Sequence, residues 1–154
     1  DDKLEGLWMW FHKNGQLSMR KNYKNGKEDG PYEEYYGNGQ LHYRQNYKNN
    51  RLEGLHEKFY DNGQLWTRVN WKDGKQDGLH ELFRENGTLW GRTIYKKGKC
   101  IVREGFYDNG QLMVRTNYDG LSEYFDEDGN LTETEEFNYG QPFEGQKKKP
   151  KVVT

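Results

Sequence analysis

Three sets of side chains in this 154-residue sequence recur at spacings that could carry chemistry: arginines, His-Glu pairs and aromatics. Arg20, Arg44, Arg68, Arg92 and Arg115 each stand six residues after the asparagine of a recurring Asn-Gly pair. A guanidinium is planar, permanently charged and able to grip a carboxylate or phosphate through two parallel N–H donors. A ladder of them interleaved with aromatics would therefore suit an acidic peptide, a phosphate or a glycan. The same arginines can instead stack on ring faces, worth about 0.5–1 kcal/mol each, and stiffen the fold. A residue repeated in every unit belongs by default to the framework. Specificity is expected in the columns that vary, which include Trp8, Trp10, Trp66, Trp90 and Met113, because exposed Trp and Tyr anchor interfaces.

Catalytic and metal chemistry find little support. His56-Glu57 and His80-Glu81 are sequence neighbours, but neighbours on a strand point to opposite faces and cannot act together. His56 and His80 would fall two strands apart, about 9–10 Å, too far to share a metal comfortably. No HExxH is present, and Cys100 is the single cysteine, so no internal disulfide can form. Ser18 and Ser122 lack a nucleophile elbow, and Cys100 has no adjacent histidine. The glycines fall at turn spacing, not in a phosphate-cradling loop before a helix. The sequence therefore reads as a non-enzyme without cofactor or metal.

The elements that would position these residues come from the Asn-Gly pairs. Asn14-Gly15, Asn38-Gly39, Asn62-Gly63 and Asn86-Gly87 lie 24 residues apart, followed by Asn109-Gly110 and Asp128-Gly129. Asn and Gly tolerate positive φ, as tight hairpins require, and the segments between are too short and too β-prone for helices. Three residues before each turn asparagine or Asp128 sits Phe11, Tyr35, Phe59, Phe83, Phe106 or Phe125. Three after comes Leu17, Leu41, Leu65, Leu89, Leu112 or Leu131, and nine after, Tyr23, Tyr47, Trp71, Tyr95, Tyr118 or Phe137.

With a three-residue loop and Gly in the bulge position, all three columns share one face, taken as the core, and the arginines lie on the other. There each would stand across from Trp8, Tyr32, His56, His80 or Arg103. A two-residue loop would invert the parity. Glu33, Glu57, Glu81, Glu104 and Glu123 resist this scheme because they share parity with the core; either they lie at the sheet margin or a bulge turns them.

The expected fold is all-β: one elongated, twisted antiparallel meander of six tandem hairpins over residues 1–145. Its units run approximately 1–30, 31–54, 55–78, 79–100, 101–119 and 120–145, and residues 146–154 form a basic tail read as disordered. About a dozen strands at 4.8 Å spacing would extend about 50–60 Å. Unit five is irregular at Cys100, and Asp119-Gly120 contracts the next turn. Asp1–Gly6 matches Asn49–Gly54, so the chain reads as a segment of a longer protein that starts partway through a unit.

Hydrophobic residues make up only 31% of the chain, which a repeat array tolerates because each unit buries little on its own. The net charge of -1 gives no field for nucleic acid, and neither a bilayer-length apolar run nor an amphipathic helix argues for a membrane.

These units resemble MORN repeats of the bacterial variant type. Tyr60-Asp61-Asn62-Gly63-Gln64-Leu65 carries the Y-x-N-G-x-L turn, and Trp71 through Gly78 the aromatic-x-x-G-x-x-x-G that follows. The likeness runs from Leu4 to Gly145. It is similar to the pattern of YwqK-type toxin–antitoxin antitoxins and of repeat regions in bacterial surface and secreted proteins. The resemblance implies a protein-binding repeat module, antitoxin- or immunity-like. Alternatives are a spacer or adhesin segment of an exported protein and, third, a lipid-binding array. The compartment follows the choice: cytoplasmic for an antitoxin, secreted or surface for an adhesin. The candidate surface comprises Trp8, Tyr32, Tyr36, Arg44, Tyr60, Trp66, Arg68, Trp90, Arg92 and Tyr107. The expected partner is another protein, and homo-oligomers through open sheet edges are compatible with the pattern.

Overall fold

The computed structural model describes residues 3–136, which form a single antiparallel sheet without helices. Its strands are β1 (Gly6–Phe11), β2 (Leu17–Lys24), β3 (Lys27–Tyr35), β4 (Leu41–Lys48), β5 (Arg51–Leu52), β6 (Gly54–Phe59) and β7 (Leu65–Lys72), then β8 (Lys75–Phe83), β9 (Leu89–Lys96), β10 (Lys99–Phe106), β11 (Leu112–Asn117), β12 (Leu121–Phe125) and β13 (Leu131–Glu136). Each pairs with the next in chain order, except that β5 only extends the pairing of β4 beside β6. The meander of tandem hairpins is therefore as the repeat spacing predicts. Phe137, Gly145 and the basic segment 146–154 lie outside the described residues.

Two turn chemistries alternate. At the Asn-Gly turns the loop has three residues: Tyr60 N–H donates to Gln64 O at 2.8 Å, and Gly63 N–H to Tyr60 O at 3.0 Å. Gly63 has φ 84°, the left-handed conformation in which a β-carbon is costly. Asn62 Oδ1 accepts from Gln64 N–H at 2.8 Å and closes the turn from within. The second turns have two residues, both left-handed: Asn25-Gly26, Asn49-Asn50, Asp73-Gly74 and Lys97-Gly98. These match the right-handed twist of the flanking strands.

A bulge just beyond each three-residue loop corrects the predicted faces. Phe59 pairs with Leu65 as expected, but Lys58 pairs with Thr67 and skips Trp66. The same shift skips Ser18, His42, Trp90, Met113 and Thr132 in the other hairpins. One extra residue per hairpin inverts side-chain parity beyond it. The early aromatic and Leu therefore share a face with the arginines, whereas the late aromatics Tyr23, Tyr47, Trp71 and Tyr95 lie on the other. The arginines do not stand across from Trp8, Tyr32, His56 or His80. They stand across from the glutamates: Arg44 pairs with Glu33 and with Glu57, Arg92 with Glu81 and with Glu104.

The sheet is one layer, and its core is correspondingly thin. Val69 and Phe106 are the buried apolar side chains among the described residues, joined by Gln45, Glu57, Glu104 and Ser122. Late aromatics cover backbone that has no side chain of its own: Tyr23 pairs with Gly6, Tyr47 with Gly30, Trp71 with Gly54 and Tyr95 with Gly78. Hydrogen bonds between units substitute for a second layer. Tyr36, Tyr60 and Tyr107 hydroxyls donate to Phe59 O, Phe83 O and Phe125 O at 2.8–2.9 Å. Asn14, Asn38, Asn62 and Asn109 amides donate to carbonyls of the next Asn-Gly loop.

Candidate interaction surface

On one face an arginine–glutamate ladder runs across the strands. Glu57, 3% exposed, accepts from Arg44 on one side and from Arg68 at 3.2 Å on the other. Glu104 does the same with Arg92 at 2.5 Å and Arg115 at 2.9 Å, and Arg20 binds Glu33 at 2.5 Å. Burial pushes the Glu33 carboxyl up, but the hydrogen bonds from Arg20 and Tyr35 and the charges of Arg20 and Arg44 hold it below its usual value. Glu104 follows the same balance, burial against Arg92 and Arg115, and is also lowered. The ladder flanks the Phe–Leu row, with the Arg44 guanidinium 5.6 Å from the Phe59 ring and that of Arg92 5.4 Å from Phe106. Its arginines are already engaged by carboxylates of this chain, so an acidic ligand would have to compete with them.

The other face is aromatic at one end and open at the other. Trp8 meets Tyr23 edge-on, and Tyr32 meets Tyr43 and Tyr47. The Tyr32 side chain is half-buried and its hydroxyl donates to Glu34, and desolvation first and that bond second raise its pKa above the ordinary tyrosine value. His56 packs against Tyr43, and His80 lies one strand beyond Val69, which separates the two imidazoles in the register. Both are held below the usual histidine pKa by burial, His56 also by the proximity of His80 and Lys58. Among the described residues no cluster of His, Cys, Asp or Glu could hold a metal, and no helix is long and apolar enough to cross a membrane.

Where Gly91 pairs with Gly105 the side chains run out. A β-carbon on Gly105 would sit 3.1 Å from Val114 Cγ1, and one on Gly91 3.1 Å from the Glu104 carbonyl. The result is an open trough of about 550 Å³ whose walls include Leu82, Trp90, Thr93, Arg103, Val114 and Thr116. Trp90 also borders a second hollow of about 570 Å³ with Met113, Arg84 and Tyr107. The bulge column supplies the exposed apolar groups here: Trp66 is 37% exposed, Trp90 55% and Met113 36%. Lys58 Nζ lies 4.3 Å from the Trp66 ring and Tyr60 packs 5.7 Å from it, so Trp66 is braced in place.

A family model described as MORN repeat variant matches residues 4–25, 28–49, 52–73, 99–119 and 118–139, well over half of the chain. The chain belongs to the MORN repeat variant family. No curated protein matches it. Among solved structures, the crystal structure of TarM shares 15% identity over 53% of this chain and 17% of that one, with a TM-score of 0.40. A point mutant of S. aureus TarM, in complex with fondaparinux, alpha-GlcNAc-glycerol and UDP, shares 14% over 58% and 18%, TM-score 0.41. The GtfA/B complex bound to UDP and GlcNAc shares 14% over 77% and 22%, TM-score 0.31. The chain spans about a fifth of the length of these solved chains, and at such scores the likeness carries no argument.

In terms of the MORN units, the ten expected surface residues divide four ways. Arg44, Arg68 and Arg92 sit in the ion-pair ladder, one per unit. Tyr36, Tyr60 and Tyr107 tie each Asn-Gly loop to the next unit. Trp8 and Tyr32 lie on the aromatic face near the first units, whereas Trp66 and Trp90 occupy bulges of two successive units. The sequence marks Trp66, Trp90 and Met113 as variable interface candidates, but their shared bulge geometry, the Gly91–Gly105 pair and the glutamate half of the ladder are not legible in it. The signal for the ladder was present: two columns of opposite charge recurring with the same period.

Proposed function

We propose that this MORN-repeat chain is a non-catalytic protein-interaction module whose contact surface centres on Trp66, Trp90 and Met113. The observation that carries it is the exposure of two tryptophans and a methionine at three consecutive bulges, the middle one, Trp90, lining a trough where two glycines pair. Bulges sit outside the pairing register, so their residues vary from unit to unit without cost to the sheet. Tryptophan is the side chain most enriched at binding hot spots, and methionine adapts to irregular partner surfaces. The arginine ladder and the tyrosine ties hold this surface flat and in register. The family match supports reading the chain as a repeat-based interaction module. Neutralisation of a partner, as by an antitoxin or immunity protein, is the finer reading, and it rests on the sequence resemblance alone.

The test is affinity capture from native cells with the unaltered chain and with Trp66→Ala/Trp90→Ala. The expected result is a specific partner lost by the double variant at unchanged melting temperature. Capture unaffected by both substitutions, or loss traced to unfolding, would refute the proposal and leave the spacer reading in its place.

A further inference from the structure

The Asn86-Gly87 loop departs from the other Asn-Gly loops in the hydrogen bonds of its asparagine. In each such loop the asparagine Oδ1 accepts from the backbone N–H of Gln16, Gln40, Gln64, Thr88 or Gln111. Where the others have glutamine, this loop has threonine, and its hydroxyl adds a second donor. Thr88 Oγ1 donates to Asn86 Oδ1 at 2.7 Å, beside the Thr88 N–H at 3.0 Å. A backbone N–H can only donate, so the atom it meets is the carboxamide oxygen. Arg84 Nη1 approaches Thr88 Oγ1 to 3.4 Å from the acceptor side.

The amide end of the same side chain is also different. The amides of Asn14, Asn38, Asn62 and Asn109 are tied to a carbonyl of the next loop, whereas Asn86 Nδ2 bonds to none of the described residues. Arg84 is the reason. It stands where other units have Tyr36, Tyr60 or Tyr107, and it takes the Phe106 carbonyl through Nη2 and the Asp108 carboxylate through Nε, both at 3.0 Å. The joint to the next unit is thus made without Asn86, and Asn86 and Gly87 are exposed to water.

These two departures fall on the two ends of one reaction. A glycine after asparagine leaves the backbone nitrogen least obstructed, because it has no β-carbon. Gly87 N gives its proton to hydroxide and its lone pair adds to Asn86 Cγ. The carbonyl electrons move onto Oδ1, where both Thr88 donors already point at the developing oxyanion. Collapse breaks the Cγ–Nδ2 bond, and Nδ2 takes a proton from water and leaves as ammonia. A tied amide would first have to break its bond to the neighbouring loop. Water then opens the succinimide at either carbonyl, so that one water is consumed for each ammonia released. The bond that holds the glycine N–H slows the first step in all of these loops alike, since Gly15, Gly39, Gly63, Gly87 and Gly110 all make it.

We infer that Asn86 is a deamidation site, converted by water to aspartate or isoaspartate faster than the asparagine of any other Asn-Gly pair. Aspartate adds a charge between Glu85 and Asp108, and isoaspartate routes the main chain through one more carbon, at the head of the strand that carries Trp90.

The test is peptide mapping by mass spectrometry after the folded chain is incubated in heavy-oxygen water at mildly alkaline pH, with conversion followed at every Asn-Gly pair. Asn86 is expected to convert about tenfold faster than Asn62, as one added donor to a solvent-exposed oxyanion warrants. Thr88→Val keeps the N–H but removes the hydroxyl, and Thr88→Gln restores the residue of the other loops; both should slow Asn86 toward the Asn62 rate at unchanged melting temperature. In urea, where the loop hydrogen bonds are lost, the pairs should convert at a common rate. Equal rates in the folded chain, an Asn86 rate unmoved by either substitution, or an advantage that persists in urea would each overturn the proposal. The comparison among loops of the unaltered chain stands even where a variant fails to fold.

Discussion

Replacing Glu57 by glutamine isolates what the charge ladder contributes to a sheet with so little apolar core. The substitution keeps the shape but removes the charge that Arg44 and Arg68 both engage. Hydrogen bonds to charged groups contribute about 1.5–3 kcal/mol each, and Glu57 accepts two. Both guanidiniums are discounted because their side chains are 50% and 41% exposed and water can replace part of the loss. Arg68 also keeps Glu81 at 3.8 Å. The net expectation is a destabilisation of about 2 kcal/mol, or about 4–8 °C in melting temperature for a chain this size. Urea titration followed by tryptophan fluorescence reads it directly, with the exposed Glu85→Gln as control, expected within about 0.5 kcal/mol of the unaltered chain. A Glu57→Gln effect no larger than the control's would sink the idea that the ladder holds the units together.

Lys97 adopts φ 52° at the position where other units place Asn25, Asn49 and Asp73. Left-handed backbone costs an ordinary side chain about 1–2 kcal/mol, so Lys97→Asn should stabilise by about 0.5–1 kcal/mol, read as a higher urea midpoint. An unchanged or lower midpoint would show that the conformation carries no cost there. Stability should also depend on pH in two windows. His56 and His80 titrate lower in the folded chain than when unfolded. The unfolded chain therefore binds more protons below about pH 6.5, and stability falls as pH drops through that range. The lowered Glu33 and Glu104 add a second loss below about pH 4.5, with the same sign. Urea midpoints measured from pH 8 downward test both, and His56→Gln/His80→Gln should flatten only the upper window. A slope there that survives the double substitution would assign it to other groups.

Much of the fold was legible because turn chemistry is local. Asn62-Gly63 and its counterparts fix a loop whose geometry depends on four or five residues, and the pairing of Phe59 with Leu65 follows from it. The bulge was hidden for a physical reason. It is made by an extra residue with no required side chain, so Ser18, His42, Trp66, Trp90, Met113 and Thr132 share nothing a sequence can display. Without it, every assignment beyond the loop lands on the wrong face, and the arginines fall opposite Tyr32 and His56. The misplaced glutamates are the visible symptom. A carboxylate recurring at a core position requires a counter-charge, and the arginine column is the available one. Trp66 and Trp90 stand out because they vary, whereas Tyr36 and Tyr60 recur because each anchors the next unit.

The hydrogen bonds that tie one Asn-Gly loop to the next join residues 22 or 23 apart in the regular units and 18 apart at the shortened one. Each unit therefore recognises only the register of its neighbour, not its place in the row. A deletion or duplication of one whole unit would reseal like against like, and the bulge positions on display would shift by one along the row. Recombination between units can in this way rewrite the exposed surface wholesale without a single new folding instruction.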